Sequence, residues 1–367
     1  MDRAGPLLNR PTQRDHADHE PAPLDGTASL AELIPRLAER LTRRGFAEAI
    51  VEDPDRRPDA WAGEPDAHGV PHRDLRAWVD LAELLGARLA TPRPGPRPGT
   101  LRLLFTAAGG EASFHAAKRP QAEPHAAPCT APNATTTTPD GSPPHAGDAR
   151  YAADADFARL RKHEHPAFLL PLAEAIAFAA GRDRPEPAWA PWPEDGPPPA
   201  PPARTLLLGC HRADELHALR FAIPDLDLAT VTGVDRDRSA LADAARHWSH
   251  ARFVPGDAAA LPAALGRFDL IVTIGLLQSP GLDARAALRA WLRHHATEAG
   301  GLVLGLPNGR FVGGRPVRGA RTRNARQTDL SLLVRDLAGH RRYLQQHRYR
   351  CRIGGRDELL LAARREA

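Results

Sequence analysis

Apolar residues near the start of the chain recur with the period of a helix. A second helical pattern occupies residues 73–87, and the apolar segment TLRLLFTA at 100–107 is typical of a strand. We therefore predict an N-terminal α/β or helical accessory segment over residues 29–110. Five apolar residues are spaced so that they share one face of its first helix: Leu30, Leu33, Ile34, Leu37 and Leu41.

From residue 204 onward, short apolar runs alternate with helical patterns. Strands are predicted at 205–208, 228–234, 252–254, 268–274 and 301–306. Helices are predicted at 214–221, 238–248, 259–265, 283–296 and 329–346. The final segment, YRCRIGGRDELLLAAR, predicts two strands joined by a turn at Gly354 and Gly355.

Apolar strands separated by helices are typical of a parallel sheet that is buried on both faces. The terminal hairpin adds an antiparallel strand to such a sheet. The fold class predicted from these patterns is α/β, with a doubly wound, seven-stranded, mostly parallel sheet whose last strand is antiparallel.

Polar and proline-rich segments divide the chain. Residues 1–28 are predicted to be a disordered tail, and residues 111–148 a low-complexity linker. A proline-rich insertion at 184–203 contains nine prolines between residues 185 and 202. Neither a helix nor a central strand can run through it, because proline lacks the backbone donor. The main domain is predicted to span 149–367, around this insertion.

Charge is distributed unevenly along the chain. The formal net charge is +4, but the segment from Gly309 to the C-terminus contains fifteen arginines and five acids. Such a segment could bind a polyanion such as RNA. Only Lys118 and Lys162 are lysines, however, and a sequence rich in arginine, alanine and proline is also what GC-biased codon usage produces.

Cysteine usage and hydropathy bear on the cellular compartment. Cys129, Cys210 and Cys351 lie far apart, so the sequence predicts neither a disulfide framework nor a metal site. The first residues contain no apolar core of signal-peptide length, and no apolar run approaches the roughly 20 residues that span a bilayer. We expect a cytoplasmic protein without a membrane segment.

Candidate chemistry follows the carboxyl ends of the predicted strands, where open α/β sheets bind ligands. The first strand leads into Gly209, which permits a sharp turn and a close approach of the backbone to a ligand. Asp235 follows the second strand, twenty-six residues after Gly209, where an acid of βαβ nucleotide-binding folds accepts hydrogen bonds from the ribose. Asp257 follows the third strand and could accept a hydrogen bond from an adenine amino group. After the fourth strand, Thr273 and Gly275 leave room for the reacting end of a ligand.

This order of motifs, "LLLGCHRADEL", "VTGVDRD", "FVPGDAAAL", "RFDLIVTIGLLQ" and "GGLVLGLPN" before the hairpin, resembles the class I S-adenosylmethionine-dependent methyltransferases. The resemblance covers about 204–367, and residues 149–176 resemble the helical lead-in of some members. It implies a Rossmann-like methyltransferase fold, S-adenosylmethionine as cofactor and methyl transfer as the reaction. By this resemblance Gly209 and its neighbours line the methionine moiety, Asp235 holds the ribose, and Asp257 with Ala258 frames the adenine. The cofactor-binding residues predicted in this way are Gly209, Cys210, His211, Asp214, Asp235, Arg236, Asp257, Ala258, Thr273 and Gly275.

The first loop departs from the family's pattern. Leu207 stands where an acid is usual, and His211 and Ala213 stand where second and third glycines are usual. In one interpretation, Asp214 or Glu215 supplies the missing carboxylate. In the other, the domain is a catalytically degenerate module that binds RNA through its arginine-rich C-terminal half. The first is our leading hypothesis, because the acids after the second and third strands are retained. A nicotinamide dehydrogenase fits less well, since "GCHRAD" is not GxGxxG.

The methyl acceptor is not identified by the sequence. The fourth strand ends in "TIGLLQ", without the Asn/Asp-Pro-Pro-aromatic tetrad that positions amino groups of bases or glutamine, and without a Pro-Cys nucleophile. Catalytic residues are unassigned, with His211 and Asn308 as candidates.

The histidine pairs His163/His165 and His294/His295 are expected at the surface. Loop arginines that could clamp phosphate or carboxylate groups, or simply be solvated, are Arg315, Arg318, Arg321 and Arg323. Substrate contacts are expected from Gln278, Ser279, Asn308 and Arg310.

Overall fold

The apolar strands after residue 204 assemble into one sheet in the structure, which is a computed structural model. It describes residues 22–108, 159–184, 186–187, 192, 196–279, 281–312, 315–318 and 330–366, with side chains described outside 309–332. The predictions for residues 1–21, for the linker 111–148 and for Arg321 and Arg323 lie outside the described residues.

Seven strands form the main sheet, and only one of them runs antiparallel to the rest. The first strand of this sheet in sequence, Thr205–Leu208 (β6), lies between Val231–Asp235 (β7) and Phe268–Ile274 (β9), so the strand order reverses there. This reversal is the switch point at which open α/β sheets bind ligands. Across the sheet the strands are Tyr349–Gly354 (β13), Glu358–Arg365 (β14), Ala296–Pro307 (β10), Phe268–Ile274 (β9), Thr205–Leu208 (β6), Val231–Asp235 (β7) and Arg252–Pro255 (β8).

Helices cover both faces of this sheet, as the apolar strands predict. In β6, Leu207 packs into one core, whereas Leu206 and Leu208 pack into the other. The Leu207 face is covered by Pro166–Ala179 (α3), Glu215–Ala222 (α4) and Arg238–His247 (α5). The opposite face is covered by Ala284–Ala290 (α6) and Leu330–Gln346 (α7).

The N-terminal segment forms its own sheet of five strands with two helices. The first helix buries Leu30, Leu33, Ile34, Leu37 and Leu41, which confirms its predicted apolar face. The strands are Leu24–Asp25 (β1), Phe46–Glu52 (β2), Ala87–Leu89 (β3), Arg93–Pro94 (β4) and Thr100–Ala107 (β5), and the helices are Leu30–Arg44 (α1) and Leu75–Leu84 (α2).

Several predicted boundaries are wrong. Leu24 is buried and pairs with β2, so the predicted disordered tail 1–28 extends too far toward the C-terminus. The predicted helix at 259–265 consists of two 3₁₀ turns separated at Pro262, which cannot continue a helix. The predicted helix at 283–296 ends at Ala290, and a π turn then leads into β10. A further antiparallel pair, Gly309–Val312 (β11) with Arg315–Arg318 (β12), occupies part of the segment in which Arg315 and Arg318 were predicted to be loop residues.

The two sheets share a core. Apolar residues of α1, α2 and β5 belong to the same contiguous cluster as those of α3 and α4. The segment 159–165, which we call the lead-in, crosses from one unit to the other. Its Arg161 N–H donates to Ala62 O at 3.0 Å, and its Arg159 forms an ion pair with Glu64 at 2.9 Å. The N-terminal unit is therefore attached to the edge of the main sheet where β6 ends.

Candidate functional site

The loop after β6 has the backbone shape of a glycine-rich loop although two of its glycine positions carry side chains. Gly209 has φ of 67°, His211 has φ of 46° and Ala213 has φ of 61°. A residue with a Cβ in this left-handed region costs roughly 1–2 kcal/mol. The conformation that His211 and Ala213 adopt is therefore the one that glycine would adopt without strain.

Gly209 is required for space as well as for its backbone angle. Its N–H donates to Val234 O at 2.8 Å, which fixes the loop against the end of β7. A Cβ at this position would lie 3.1 Å from Leu276 Cδ1. Leu276, from the turn after β9, therefore packs directly over the loop. The next residue, Cys210, is 3 % exposed, and burial raises the pKa of its thiol well above the usual value. This is a buried, unreactive cysteine.

Asp235 ends β7 and is held in one orientation by two backbone donors. His211 N–H donates to Asp235 Oδ2 at 2.7 Å, and Asp237 N–H donates to Oδ1 at 2.9 Å. The residue is half-buried. Each carboxylate oxygen has further acceptor capacity, so the group can still accept two hydroxyl donors. The first crossover loop and the tip of β7 thus form one connected structure.

Asp257 and Ala258 follow β8, but local contacts already occupy part of their hydrogen-bonding capacity. Asp257 Oδ1 accepts from Ala259 N–H at 2.8 Å, and its other oxygen pairs with Arg236. Burial alone would raise the pKa of Asp257, but the Ala259 and Arg236 bonds outweigh it and hold the pKa below the usual value. Ala258 O accepts from Trp291 Nε1 at 2.8 Å. Arg236 itself is exposed beside Asp257.

The two acids at the start of α4 have different environments. Asp214 is turned toward the lead-in, where His163 Nδ1 lies 3.2 Å from its Oδ1 and Lys162 N–H donates to its Oδ2 at 3.3 Å. Burial opposes ionisation of Asp214, but the hydrogen bond and charge of His163 hold its pKa well below the usual value. The Asp214 carboxylate therefore holds the lead-in against the loop.

Glu215 is a buried acid with one oxygen that lacks a partner among the described residues. It is 8 % exposed, and its Oε2 has no hydrogen-bond partner among the described residues. Burial raises the pKa of Glu215 to about 8, with nearby Lys162 opposing the shift and Asp214 and Asp235 adding to it. Leu207, at the family's usual acid position, is buried in the core. Glu215 is thus a buried carboxyl at the start of α4, directly after the loop.

The turn after β9 places small and half-buried residues beside the loop. Thr273 is 1 % exposed, and its Oγ1 has no hydrogen-bond partner among the described residues. Gly275 has φ of 74°, and its N–H donates to Gly305 O at 2.9 Å. Gln278 and Ser279 are half-buried within this turn. These residues lie at the same edge of the sheet as Gly209.

Asn308 has a structural role. Its N–H donates to Asp357 O at 2.8 Å and its Nδ2 donates to Arg356 O at 2.9 Å, which ties the end of β10 to the turn between β13 and β14. These contacts do not favour the prediction that Asn308 is catalytic, because its side-chain nitrogen already donates to a backbone carbonyl oxygen. Arg310 lies in β11, and its side chain is outside the described residues, as are those of Arg315 and Arg318.

The sequence interpretation missed a charged cluster between the lead-in and the start of β14. Lys162 Nζ lies 3.6 Å from Glu358 Oε1, and His165 Nδ1 lies 3.7 Å from Asp357 Oδ2. His165 is 2 % exposed and His295 is 3 % exposed, so their prediction as surface residues is wrong. His163 stacks on His217 with ring centroids 3.6 Å apart. No pattern in the sequence signals this cluster, because its members come from distant segments.

Within the described part of the chain, no group of three or more histidine, cysteine or acidic residues could hold a metal ion. No helix there is both long enough and apolar enough to cross a bilayer.

Comparison with known proteins agrees with this architecture. Residues 206–298, from β6 to the start of β10, match the family model described as a methyltransferase domain. The match confirms the predicted resemblance to S-adenosylmethionine-dependent methyltransferases, and with it S-adenosylmethionine as the cofactor of that family. It includes Gly209, Asp235 and Asp257. No curated protein matches the chain.

Several solved methyltransferases are similar to part of this chain at low sequence identity. Magnesium protoporphyrin IX methyltransferase from Synechocystis PCC 6803 is 18% identical, over 45% of this chain and 70% of that chain, with a TM-score of 0.29. The plantazolicin methyltransferase BpumL is 13% identical, over 55% of this chain and 84% of that chain, with a TM-score of 0.37. The methyltransferase domain of bacterial CtHen1 is 12% identical, over 44% and 90% of the two chains, with a TM-score of 0.35. Similarity at this level carries no argument about substrates.

Proposed function

We propose that this protein transfers a methyl group from S-adenosylmethionine to an acceptor molecule. The observation that carries the proposal is the geometry of Asp235, whose carboxylate is oriented by the His211 N–H at the point where the strand order reverses. Both ribose hydroxyls of the cofactor would donate to this carboxylate. The loop from Gly209 would follow the methionine moiety.

The methionine end of the cofactor is a zwitterion, and the site contains a partner for each of its charges. The buried Glu215 carboxyl has an oxygen without a partner among the described residues and suits the ammonium group. It would take the role of the acid that the family usually has where this chain has Leu207. Lys162 lies close by, since its backbone N–H donates to Asp214, the residue before Glu215, and its ammonium suits the methionine carboxylate. A buried carboxyl that is neutral without ligand would ionise when a cation binds beside it.

When bound, the cofactor supplies a methyl group on a positively charged sulfur, which is already a good leaving group. The protein's contribution is then chiefly to place the acceptor in line with that methyl group and to exclude water. Gly275 and the turn through Gln278 and Ser279 lie at the edge where the acceptor would enter. His211 contributes its backbone N–H to Asp235, and we assign it no proton transfer.

Isothermal titration calorimetry with S-adenosylhomocysteine tests this proposal without turnover. We expect saturable binding with one site per chain. If protein that circular dichroism shows to be folded binds none of this ligand at millimolar concentration, the proposal is wrong.

The alternative function, an RNA-binding scaffold, would show salt-dependent RNA retention without cofactor affinity. The comparisons give it no support. A groove between α6 and α7 is lined by several arginines, which carry no feature specific to RNA. The arginines that line the groove are Arg285, Arg289, Arg335 and Arg342.

A further inference from the structure

Glu358 lies at the edge of the sheet where the cofactor would bind, beside Lys162 of the lead-in. It is the first residue of β14 and pairs with Pro307 at the carboxyl end of β10. Leu360 and Ala362, two and four residues later, belong to the core beneath α3 and α4. Because side chains alternate along a strand, Glu358 points to that same face.

The Glu358 carboxyl is buried and only partly satisfied. The residue is 8 % exposed, its Oε1 lies 3.6 Å from Lys162 Nζ, and its Oε2 has no hydrogen-bond partner among the described residues. Burial raises the pKa of Glu358 above the usual value. An unpartnered buried polar atom is costly, so its retention calls for a ligand or another functional explanation.

Lys162 lies beside Glu358 and beside the residue that precedes Glu215. Its Nζ is 3.6 Å from Glu358 Oε1, and its backbone N–H donates to Asp214 Oδ2 at 3.3 Å. Glu358 and Glu215 each have a carboxyl oxygen without a protein donor among the described residues. The other charged groups near this cluster are Asp214, Asp235, His165 and Asp357.

The amino-acid end of the proposed cofactor carries one ammonium group, which accounts for only one of the two acids. Glu215 adjoins the loop after β6 and is the better placed for it. Glu358 lies beyond β9 and β10, on the side of the crevice away from Asp235. We propose that Glu358 lines the acceptor subsite and that the acceptor is an amine, which enters this subsite as a cation. This inference rests on the proposed methyltransferase function.

The chemistry of an amine acceptor needs a proton acceptor at this position. The bound ammonium must lose one proton to expose the nitrogen lone pair, and the Glu358 carboxylate can accept it. The lone pair then forms the new N–C bond as the S–C bond breaks, and the electron pair of that bond stays on sulfur. The products are the methylated ammonium, neutral S-adenosylhomocysteine and the protonated Glu358 carboxyl, so charge and atoms balance.

Two ligands that differ at the reacting centre provide the test. Sinefungin carries an amine where the transferable methyl group would be, whereas S-adenosylhomocysteine is neutral there, and both carry the same amino-acid end. We expect the wild-type protein to bind sinefungin more tightly than S-adenosylhomocysteine. In Glu358→Gln, which preserves side-chain size, that preference should fall by about tenfold, the effect of losing a charge-assisted hydrogen bond.

Glu215→Gln is the matched control, because its partner is the ammonium that both ligands share. It should weaken both ligands by a similar factor and leave their ratio unchanged. If Glu358→Gln does not fold, Glu358→Asp retains the charge at a shorter reach and should lower the ratio partially. A ratio unaffected by folded Glu358 variants overturns the inference. Absence of S-adenosylhomocysteine binding to wild-type protein instead overturns the proposed function, so the two failures are distinguishable.

Discussion

Arg73 of the N-terminal unit and Glu164 of the lead-in form a buried ion pair, although 91 residues separate them. Arg73 also donates to Gly26 O at 2.9 Å and to Ala28 O at 2.8 Å, and Glu164 accepts from Leu30 N–H at 3.2 Å. Glu164 adjoins His163 and Lys162, which contact the candidate site. The N-terminal unit therefore helps to position the lead-in over the end of β6.

Removing one member of this pair should be costly. Arg73→Ala leaves the Glu164 carboxylate buried without its counter-charge, and we expect the free energy of unfolding to fall by about 3–5 kcal/mol. Urea denaturation measures this change. Arg43→Ala is the control, since Arg43 and Glu39 form an exposed ion pair and its loss should cost about 1 kcal/mol or less. If both substitutions lower the free energy of unfolding by the same amount, the buried ion pair stabilises the protein no more than the exposed one does, and the prediction is wrong.

The left-handed backbone at His211 can be tested by comparing two substitutions. Glycine adopts a φ of 46° without strain, whereas alanine does so at a cost. We expect His211→Gly to be more stable than His211→Ala by about 1 kcal/mol, which is the reverse of the order at ordinary helical or extended positions. Denaturation of both variants in urea measures the difference. An alanine variant at least as stable as the glycine variant would contradict the loop conformation.

Glu215 should make stability depend on pH in a defined direction. Burial raises its pKa to about 8 in the folded protein, compared with an ordinary value of 4.5. A carboxyl that binds its proton more tightly when folded stabilises the protein fully below its unfolded pKa, and this contribution is lost as pH rises toward the folded pKa. The free energy of unfolding of Glu215→Gln, relative to wild type, should therefore increase between about pH 5 and pH 8. A difference that is constant over this range would show that the Glu215 pKa is not raised.

Cofactor binding should release a proton from Glu215. The ammonium of S-adenosylhomocysteine would favour the carboxylate, so at about pH 7 binding should expel up to one proton into the buffer. Calorimetry in two buffers with different ionisation enthalpies measures the number released. Glu215→Gln should abolish this release. If wild type and Glu215→Gln release the same number of protons on binding, Glu215 is not the source of those protons.

The main sheet was largely predictable because its central strands are mostly apolar and buried. The strands at 205–208 and 268–274 occur with the predicted bounds. The strand Phe46–Glu52 was missed although its burial alternates, because two of its three buried residues are alanines, whose weak hydrophobicity leaves little pattern. β10 begins at Ala296, five residues before the predicted strand, where an irregularity in its pairing with β9 precedes the regular apolar run.

The candidate site was predictable only where it follows strand ends. Asp235 and Gly209 are local to β7 and β6, so their meeting follows from the parallel sheet. The choice between Asp214 and Glu215 depends on His163, which the sequence places in a different segment. The pairing of Lys162 with Glu358 depends on how the lead-in crosses the sheet edge, and no local pattern specifies that.

The central claim is that Asp235 holds the sugar of S-adenosylmethionine, and calorimetry with S-adenosylhomocysteine on Asp235→Ala tests it most directly. Asp243→Ala is the control, because it removes an equal charge from an exposed ion pair with Arg246 on α5. We expect Asp235→Ala to weaken binding about tenfold or more, the effect of losing charge-assisted bonds worth roughly 1.5–3 kcal/mol, and the control to bind as wild type does. A folded Asp235→Ala variant with wild-type affinity would contradict the account.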